Sequence, residues 1–367
     1  MSKIKKIPWS VPNISIEEKE AMQKVIESGW YSQGSVTKAF EDDLSEYVNS
    51  NVSVVNSGTS ALMCALLANG FKPGDSVLVP NFTFFATLSA AKILGGKIYT
   101  SDVDIQTLNI NQDSVEQIVK NNDIKFLIVV DVAGLPVDVD FFTDLAKRHN
   151  FILIEDSAES LGSEYKNKKI GSFEHTTTFS FHIAKQITTI EGGAISSNDE
   201  KIISKVKHIR DHGRVDPKNY SHELIGSNFR TTDLQSSIGI EQLKKITQHL
   251  SRRNEIVQLY KQKLKNVRFQ ETPLYNHKHS NMMFFVIYPN KEIRDKNFQN
   301  LQANGIDVKL PWPPLHIQPA NPELNHNVHK NTELISNSSL MFPIFNTMTN
   351  DQVEYVIDSS NEINSMN

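Results

Sequence analysis

Residues 177–194 read TTFSFHIAKQITTIEGGA, and the reading of this stretch governs the reading of the rest. Thr177–Phe181 is an alternating β-branched and aromatic run with the period of a strand. Lys185 follows four residues later, and Glu191-Gly192-Gly193 marks a turn shortly after it. A lysine held between a strand edge and a glycine turn has a fixed position, unlike one on a mobile solvated face. Schiff-base chemistry needs such a lysine, because its amine must lose its proton near neutral pH to attack a carbonyl. Most lysines only face solvent, so the stretch takes its meaning from what flanks it.

From about residue 50 to 200, short apolar runs alternate with amphipathic ones. Strands are predicted at Val52–Val55, Ser76–Val79, Phe126–Val130, Phe151–Ile154 and Thr177–Phe181. Helices are predicted at Ser60–Asn69, Ala86–Leu94, Gln112–Asn121 and Val139–His149. The alternation predicts an α/β domain with a mainly parallel sheet covered on both faces. Helical periodicity from Leu234 to Leu264 predicts one long connection out of that domain. Strand Met282–Tyr288, helix Arg294–Asn304 and helix Asp351–Glu362 then suit a smaller α+β domain. The expected division is 1–250 and 251–367, and Asn321–Asn331 reads as a surface loop.

The chain has 367 residues, enough for a large core. Its formal charge of −4, with no polybasic block, argues against nucleic acid or an anionic membrane as partner. Cys64 is the only cysteine, which excludes a disulfide scaffold and cysteine-rich metal sites, and no metal site is expected. The first residues lack the apolar run of a signal peptide and no stretch approaches a membrane span, so a cytoplasmic location is expected.

Three further segments place chemistry at strand ends. Asn56-Ser57-Gly58-Thr59-Ser60 follows one strand and opens a helix. Backbone N–H groups, the positive end of the dipole and hydroxyl donors converge there, as a phosphate or carboxylate requires, although a simple N-cap uses the same residues. Phe151-Ile152-Leu153-Ile154-Glu155-Asp156 ends a buried-type strand in two carboxylates, where α/β proteins build sites. An aspartate there can hold a cationic ring nitrogen protonated, or serve only as a solvated strand end. Pro80-Asn81-Phe82-Thr83-Phe84-Phe85 puts rings at another strand end, where Phe84 can stack on a planar ligand or pack in the core. An imine-forming lysine, a carboxylate for a pyridinium, a phosphate cradle and a stacking ring are together the parts a protein supplies to pyridoxal 5'-phosphate (PLP) and its amine form, PMP.

The order of the motifs also resembles a family. Gly29-Trp30-Tyr31-Ser32-Gln33-Gly34, Ser57-Gly58-Thr59-Ser60-Ala61-Leu62, Pro73-Gly74-Asp75, Glu155-Asp156, Ser180-Phe181 with Lys185, Glu191-Gly192-Gly193, His212-Gly213, Gly226-Ser227-Asn228-Phe229-Arg230 and Pro314-Leu315-His316 follow one another from about residue 8 to 357. Together they resemble the DegT/StrS sugar aminotransferases, fold-type I enzymes that aminate keto groups on nucleotide-linked sugars. The resemblance implies a large domain with a mixed, mainly parallel sheet flanked by helices, and a smaller C-terminal α+β domain. It implies that Lys185 forms the imine and shuttles the proton, while Asp156 pairs with the pyridine nitrogen. Ser57, Gly58, Thr59 and Ser180 are expected to bind the phosphate, Phe84 to stack, and Asn228 to reach the neighbouring subunit's cofactor in a homodimer with shared active sites. Ser32, Arg230 and His316 are expected on the substrate side.

Three positions depart from the family pattern. Glu159 stands near the expected place of the cofactor's phenolic oxygen, where Gln or His is common; some C4 aminotransferases of nucleotide-linked 4-keto-6-deoxysugars resemble this chain there. Asp131 replaces a frequent histidine, which predicts an altered substrate contact. Pro311-Trp312-Pro313-Pro314 replaces a tyrosine-containing version and alters the expected sugar pocket.

A histidine at the lysine position marks the family's dehydratases, so Lys185 argues for transamination, with glutamate as the donor the resemblance implies. The expected acceptor is the 4-keto carbon of a nucleotide-linked 4-keto-6-deoxysugar, serving cell-surface polysaccharides such as O-antigen. Amination at C3 and a catalytically silent PLP-binding regulatory protein are the alternatives. Past Arg268 the sequence has only Arg294, expected on an exposed helix face, so no arginine clamp for a dicarboxylate substrate is in view.

Overall fold

The apolar runs between residues 51 and 197 assemble into one seven-stranded sheet. The computed structural model describes residues 6–216, 218–273, 277–325 and 327–365. In chain order the strands are β1 (Asn51–Val55), β2 (Ser76–Pro80), β3 (Lys97–Ser101), β4 (Phe126–Val130) and β5 (Ile152–Asp156). A short hairpin of β6 (Glu164–Tyr165) and β7 (Lys168–Lys169) precedes β8 (Thr176–Ser180) and β9 (Gly193–Ser197). The sheet order is β1-β9-β8-β5-β4-β2-β3. β3, β2, β4, β5 and β8 run parallel, and β9 is antiparallel to both of its neighbours. One reversed strand makes the sheet mixed and points β1 the same way as β8. The carboxyl ends of β1, β2, β4, β5 and β8 therefore share one edge.

Helices cover both faces. α1 (Ile16–Ser28) and α2 (Ser35–Val48) precede the sheet; α3 (Gly58–Ala68), α4 (Ala86–Ile93), α5 (Gln112–Asn121), α6 (Val139–His149) and α7 (Glu200–Ile209) connect or follow its strands. Alternation along each strand sorts the core. Val52, Val54, Leu127 and Val129 join Phe40, Leu44, Val115 and Phe142 on one face. Val55, Phe126 and Ile128 join Ala61, Leu62, Leu88 and Val206 on the other.

The expected single helix over Leu234–Leu264 is two abutting helices, α8 (Asp233–Lys244) and α9 (Ile246–Lys263), which break at Lys245. The Lys245 amine there reaches Glu18 of α1 at 2.8 Å. Before α8, β10 (Arg214–Asp216) pairs with β11 (Ser221–His222). Beyond α9, β12 (Arg268–Phe269), β14 (Phe284–Ile287) and β15 (Ser339–Phe342) form an antiparallel sheet, while β13 (His277–Lys278) pairs with β6. With α10 (Lys291–Ala303), α11 (Lys330–Ser338) and α12 (Asn350–Ser365) they complete the C-terminal part. Its core gathers Ile256, Tyr260, Phe284, Leu301, Phe342 and Val356, and takes in Ile7 from the other end of the chain.

Two surface expectations are overturned. Arg294 is 5% exposed: its guanidinium turns inward to the Ser336 and Ser339 carbonyls at the end of α11, at 3.1 and 3.4 Å. Lying on a helix face did not make it solvent-facing, because its long stem crosses to orphan carbonyls next door. The Asn321–Asn331 stretch is not a detached surface loop. Asn321, Leu324 and His329 are buried, and Asn331 bonds Asp102 and the Val103 carbonyl at 3.0 and 2.9 Å; His326 lies outside the described residues.

Candidate active site

At the carboxyl edge of the sheet, a cavity of about 290 Å³ is lined by Ser57, Gly58, Thr59, Phe84, Asp156, Glu159, Ser180 and Lys185. A larger groove between α1 and α8 has polar walls already engaged: Glu17 pairs with Lys245 and Asp233 accepts from the start of α2.

The reversed strand places the lysine. β8 and β9 form a hairpin in which Ser180 faces Gly193, and the connection closes through Phe181 N–H to the Gly192 carbonyl and Thr189 N–H to the Phe181 carbonyl, at 2.8 and 3.0 Å. Lys185 sits in that loop with its own N–H on the His182 carbonyl at 2.9 Å. Its side chain is 14% exposed and its amine lies 3.4 Å from Glu159 Oε1.

Asp156 is the last residue of β5 and is 5% exposed. Its Oδ2 accepts the Thr87 hydroxyl at 2.8 Å, and its Oδ1 accepts the Ala158 N–H at 3.2 Å. Burial pushes its carboxyl above the usual range, while those two donors and nearby Lys185 pull back. Glu159 is also buried; its Oε2 accepts the Ala133 N–H at 2.8 Å. Burial raises its carboxyl too, opposed by Lys185 and that N–H.

In the same cavity lining, Ser57 caps α3 by accepting the Ser60 N–H at 3.1 Å, leaving Gly58 and Thr59 in the first turn, whose N–H groups have no intrahelical carbonyl. Gly58 lies so close to β8 that a Cβ there would be 2.9 Å from Ser180 Cβ. A Cβ at Gly193 would collide with the Ser57 carbonyl. These two glycines let the helix start, β8 and β9 converge.

The residues present fit PLP. A helix N-terminus with serine and threonine hydroxyls suits the phosphate. A buried aspartate lining the same cavity suits a protonated ring nitrogen, and a lysine there suits the aldehyde carbon. Phe84, 60% exposed, flanks the same cavity.

Ser32, Asn228, Arg230 and His316 do not line this cavity within one chain. Ser32 is exposed, its carbonyl accepting the Asp233 N–H at 3.2 Å. Asn228 is exposed beside Asn56, whose amide donates to its carbonyl at 3.2 Å. Arg230 pairs with Asp211, which also takes Arg214 at 2.6 Å. His316 is buried and its ring is engaged by Asn81 at 2.7 Å and Glu333 at 3.4 Å. Asp131, where the departure from histidine predicted an altered substrate contact, is fully buried with its carboxylate accepting from Val137, Ser157 and Ser160.

Sequence reasoning missed part of the wall. Trp9, Met282, Met283 and Met341 line the cavity with Trp312; methionines and tryptophans beside strands carry no signal that separates a site wall from a core. Thr87 was missed as well, although Thr83 and Thr87 are one helical turn apart and their hydroxyls meet at 2.9 Å.

Comparison with known proteins agrees with this geometry. The family model described as the DegT/DnrJ/EryC1/StrS aminotransferase family matches residues 12–360. A GDP-perosamine synthase of Escherichia coli O157:H7 is 32% identical over 364 residues, 99% of this chain and 100% of the relative. A UDP-4-amino-4,6-dideoxy-N-acetyl-beta-L-altrosamine transaminase of Campylobacter jejuni is 37% identical over 319 residues, 84% of each chain. The solved structure of Helicobacter pylori PseC, an aminotransferase involved in the biosynthesis of pseudoaminic acid, superposes with a TM-score of 0.93 at 28% identity, covering 99% of this chain and 100% of that one. Solved neighbours include PLP and PMP forms. The fold is that of a PLP-dependent fold-type I enzyme, and the chain belongs to the DegT/DnrJ/EryC1/StrS aminotransferase family.

Proposed function

We propose that this aminotransferase moves an amino group from glutamate to the 4-keto carbon of a nucleotide-linked 4-keto-6-deoxysugar, in the cytoplasm, for a cell-surface glycan. The observation that carries the reading is the convergence of Lys185, Asp156 and the Ser57–Thr59 helix start on one cavity. The sugar named for the C. jejuni relative carries an amine at carbon 4, which favours C4, and the E. coli relative is named for a GDP-linked sugar, which favours a nucleotide-linked acceptor.

PLP supplies an electron sink and carries the amine between donor and acceptor. Within this site Asp156 would hold the ring nitrogen protonated, and its burial makes that charge pair strong. The α3 N-terminus with Ser57, Thr59 and Ser180 would hold the phosphate. Lys185, freed from the cofactor, would move the proton at the reacting carbon, with Glu159 as its neighbour. Trp9, Trp312 and the three methionines exclude water and present an apolar wall that suits a deoxy sugar's methyl group. Asn228 and Ser32, exposed on one chain, are proposed to complete the site of a second copy in a homodimer, where Arg230 lies close to the shared site. His316, tied to Asn81, is proposed to act on the substrate side through the Phe84 segment.

The test supplies glutamate with GDP-4-keto-6-deoxymannose or a UDP-linked 4-keto-6-deoxyhexose, and reads 2-oxoglutarate and the position of the new amine by mass spectrometry and NMR. An amine at C4 is expected. Turnover of the corresponding 3-keto sugars and not of the 4-keto ones, or no turnover with any nucleotide-linked keto sugar, would overturn the proposal.

A further inference from the structure

Asp131 lies at the end of β4, one strand from Asp156, and makes more ties than any substrate contact would leave free. Its Oδ1 accepts the Val137 N–H at 3.0 Å, and its Oδ2 accepts the Ser157 and Ser160 hydroxyls at 2.9 and 2.6 Å. Its own N–H donates to the Asp156 carbonyl at 3.2 Å. One side chain thus grips both ends of the Ser157–Ser160 loop, and Glu159 belongs to that loop.

The same residue opens the turn that faces Glu159. Gly134 N–H returns to the Asp131 carbonyl at 2.9 Å, and Ala133 is held at φ 60°. That left-handed conformation is disfavoured for alanine and persists only where its surroundings enforce it. Here Ala133 O also accepts the Met282 N–H at 2.9 Å. The consequence is that Ala133 N–H points at Glu159 Oε2, 2.8 Å away, leaving Oε1 on the Lys185 amine.

We propose that Asp131 is a positioning residue: by tying the Asp131–Gly134 turn to the Ser157–Ser160 loop it fixes Glu159 against Lys185, and it touches neither cofactor nor substrate. Burial and the neighbouring Glu155 push the Asp131 carboxyl well above the usual range, which suits an anchor without a cation partner. The proposal rests on Lys185 being the cofactor-binding lysine.

The experiment titrates, against pH, the visible absorbance of the PLP-loaded enzyme, which reports the proton beside Lys185. Glu159→Gln removes a carboxylate next to that proton and lowers the midpoint, by about one pH unit. Asp131→Ala is expected to lower it in the same direction, and the Asp131→Ala/Glu159→Gln double variant to go no further than Glu159→Gln alone. If Asp131→Ala does not fold, Ser160→Ala, which removes one tether, is read in the same way. A midpoint left at the wild-type value, with only a lower Tm, would make Asp131 merely structural and overturn the proposal. Shifts that add in the double variant would overturn it too. A wild-type enzyme without a Lys185-dependent visible band would instead overturn the cofactor-lysine reading, a separate failure.

Discussion

Lys185 Nζ lies 3.4 Å from Glu159 Oε1, and both side chains are largely withdrawn from water. The lysine comes from the β8–β9 hairpin and the glutamate from the loop after β5, so two neighbouring strands of the sheet set this distance. An amine beside a buried carboxylate has a nearby partner for its proton, as a lysine that alternates between nucleophile and proton carrier requires.

Asp156 is held by Thr87 and the Ala158 N–H on the wall of the cavity, and the proposed function has it hold the ring nitrogen. Asp156→Asn should therefore slow both half-reactions by about a hundredfold or more, because a neutral amide no longer holds that nitrogen protonated. Single-turnover kinetics with glutamate, and separately with the keto sugar, measure this; an unchanged rate would show that another group holds the nitrogen.

Gly58 and Ser180 nearly touch, and an added Cβ must displace one of them. Gly58→Ala should push the α3 N-terminus away from β8 and weaken PLP binding by about tenfold or more, with little loss of fold. Fluorescence titration of the cofactor-free protein with PLP reads the effect, and wild-type affinity would contradict the assignment of the cradle.

Asp233 caps a helix that is not its own. Its carboxylate accepts from Gly34 N–H at 2.7 Å, Val36 N–H at 3.2 Å, Thr37 N–H at 2.8 Å and the Thr37 hydroxyl at 2.6 Å. Asp233→Ala orphans these donors at the start of α2 and should destabilise the protein by about 2 kcal/mol. Gly34, two residues from Ser32, loses its tie to the Asp233 carboxylate, so the proposed homodimer should form less readily; chemical denaturation and light scattering check the two effects.

Glu18 gives a pH signature. Burial would raise its carboxyl, but hydrogen bonds from Lys245, Ser15 and Gln242 win and lower it from 4.5 to about 2. A folded-state value below the unfolded one means stability that is present above about pH 4.5 and lost as pH falls toward 2. Glu18→Gln should lower the Tm at pH 7 by about 3 °C, and its gap from wild type should narrow by pH 3.5. A gap that widens on acidification would contradict this.

The strands that carry the candidate cofactor residues were legible because strand ends announce themselves. The period-two run before Ser180 located β8, and the apolar run before Glu155-Asp156 located β5, with a shift of about two residues. β9 was not legible: Gly193-Ala194-Ile195-Ser196-Ser197 has the composition of a loop, and only pairing between β1 and β8 makes it a strand. The role of Asp131 was not legible because its partners, Ser157 and Ser160, lie a strand away and look like ordinary loop serines. Arg294 was misread as exposed because helical periodicity shows a face and not what packs on it. The cavity's Trp9 and Met282 are 273 positions apart in sequence, and the fold alone brings them to one wall.

The central claim, that Lys185 is the lysine that binds the cofactor, is tested most directly by reducing the PLP-loaded enzyme with borohydride and mapping the modified peptide by mass spectrometry. The account predicts a pyridoxyl group on Lys185, and none there when the enzyme is first converted with glutamate. A pyridoxyl group on another lysine, or no covalent link before glutamate is added, would contradict it.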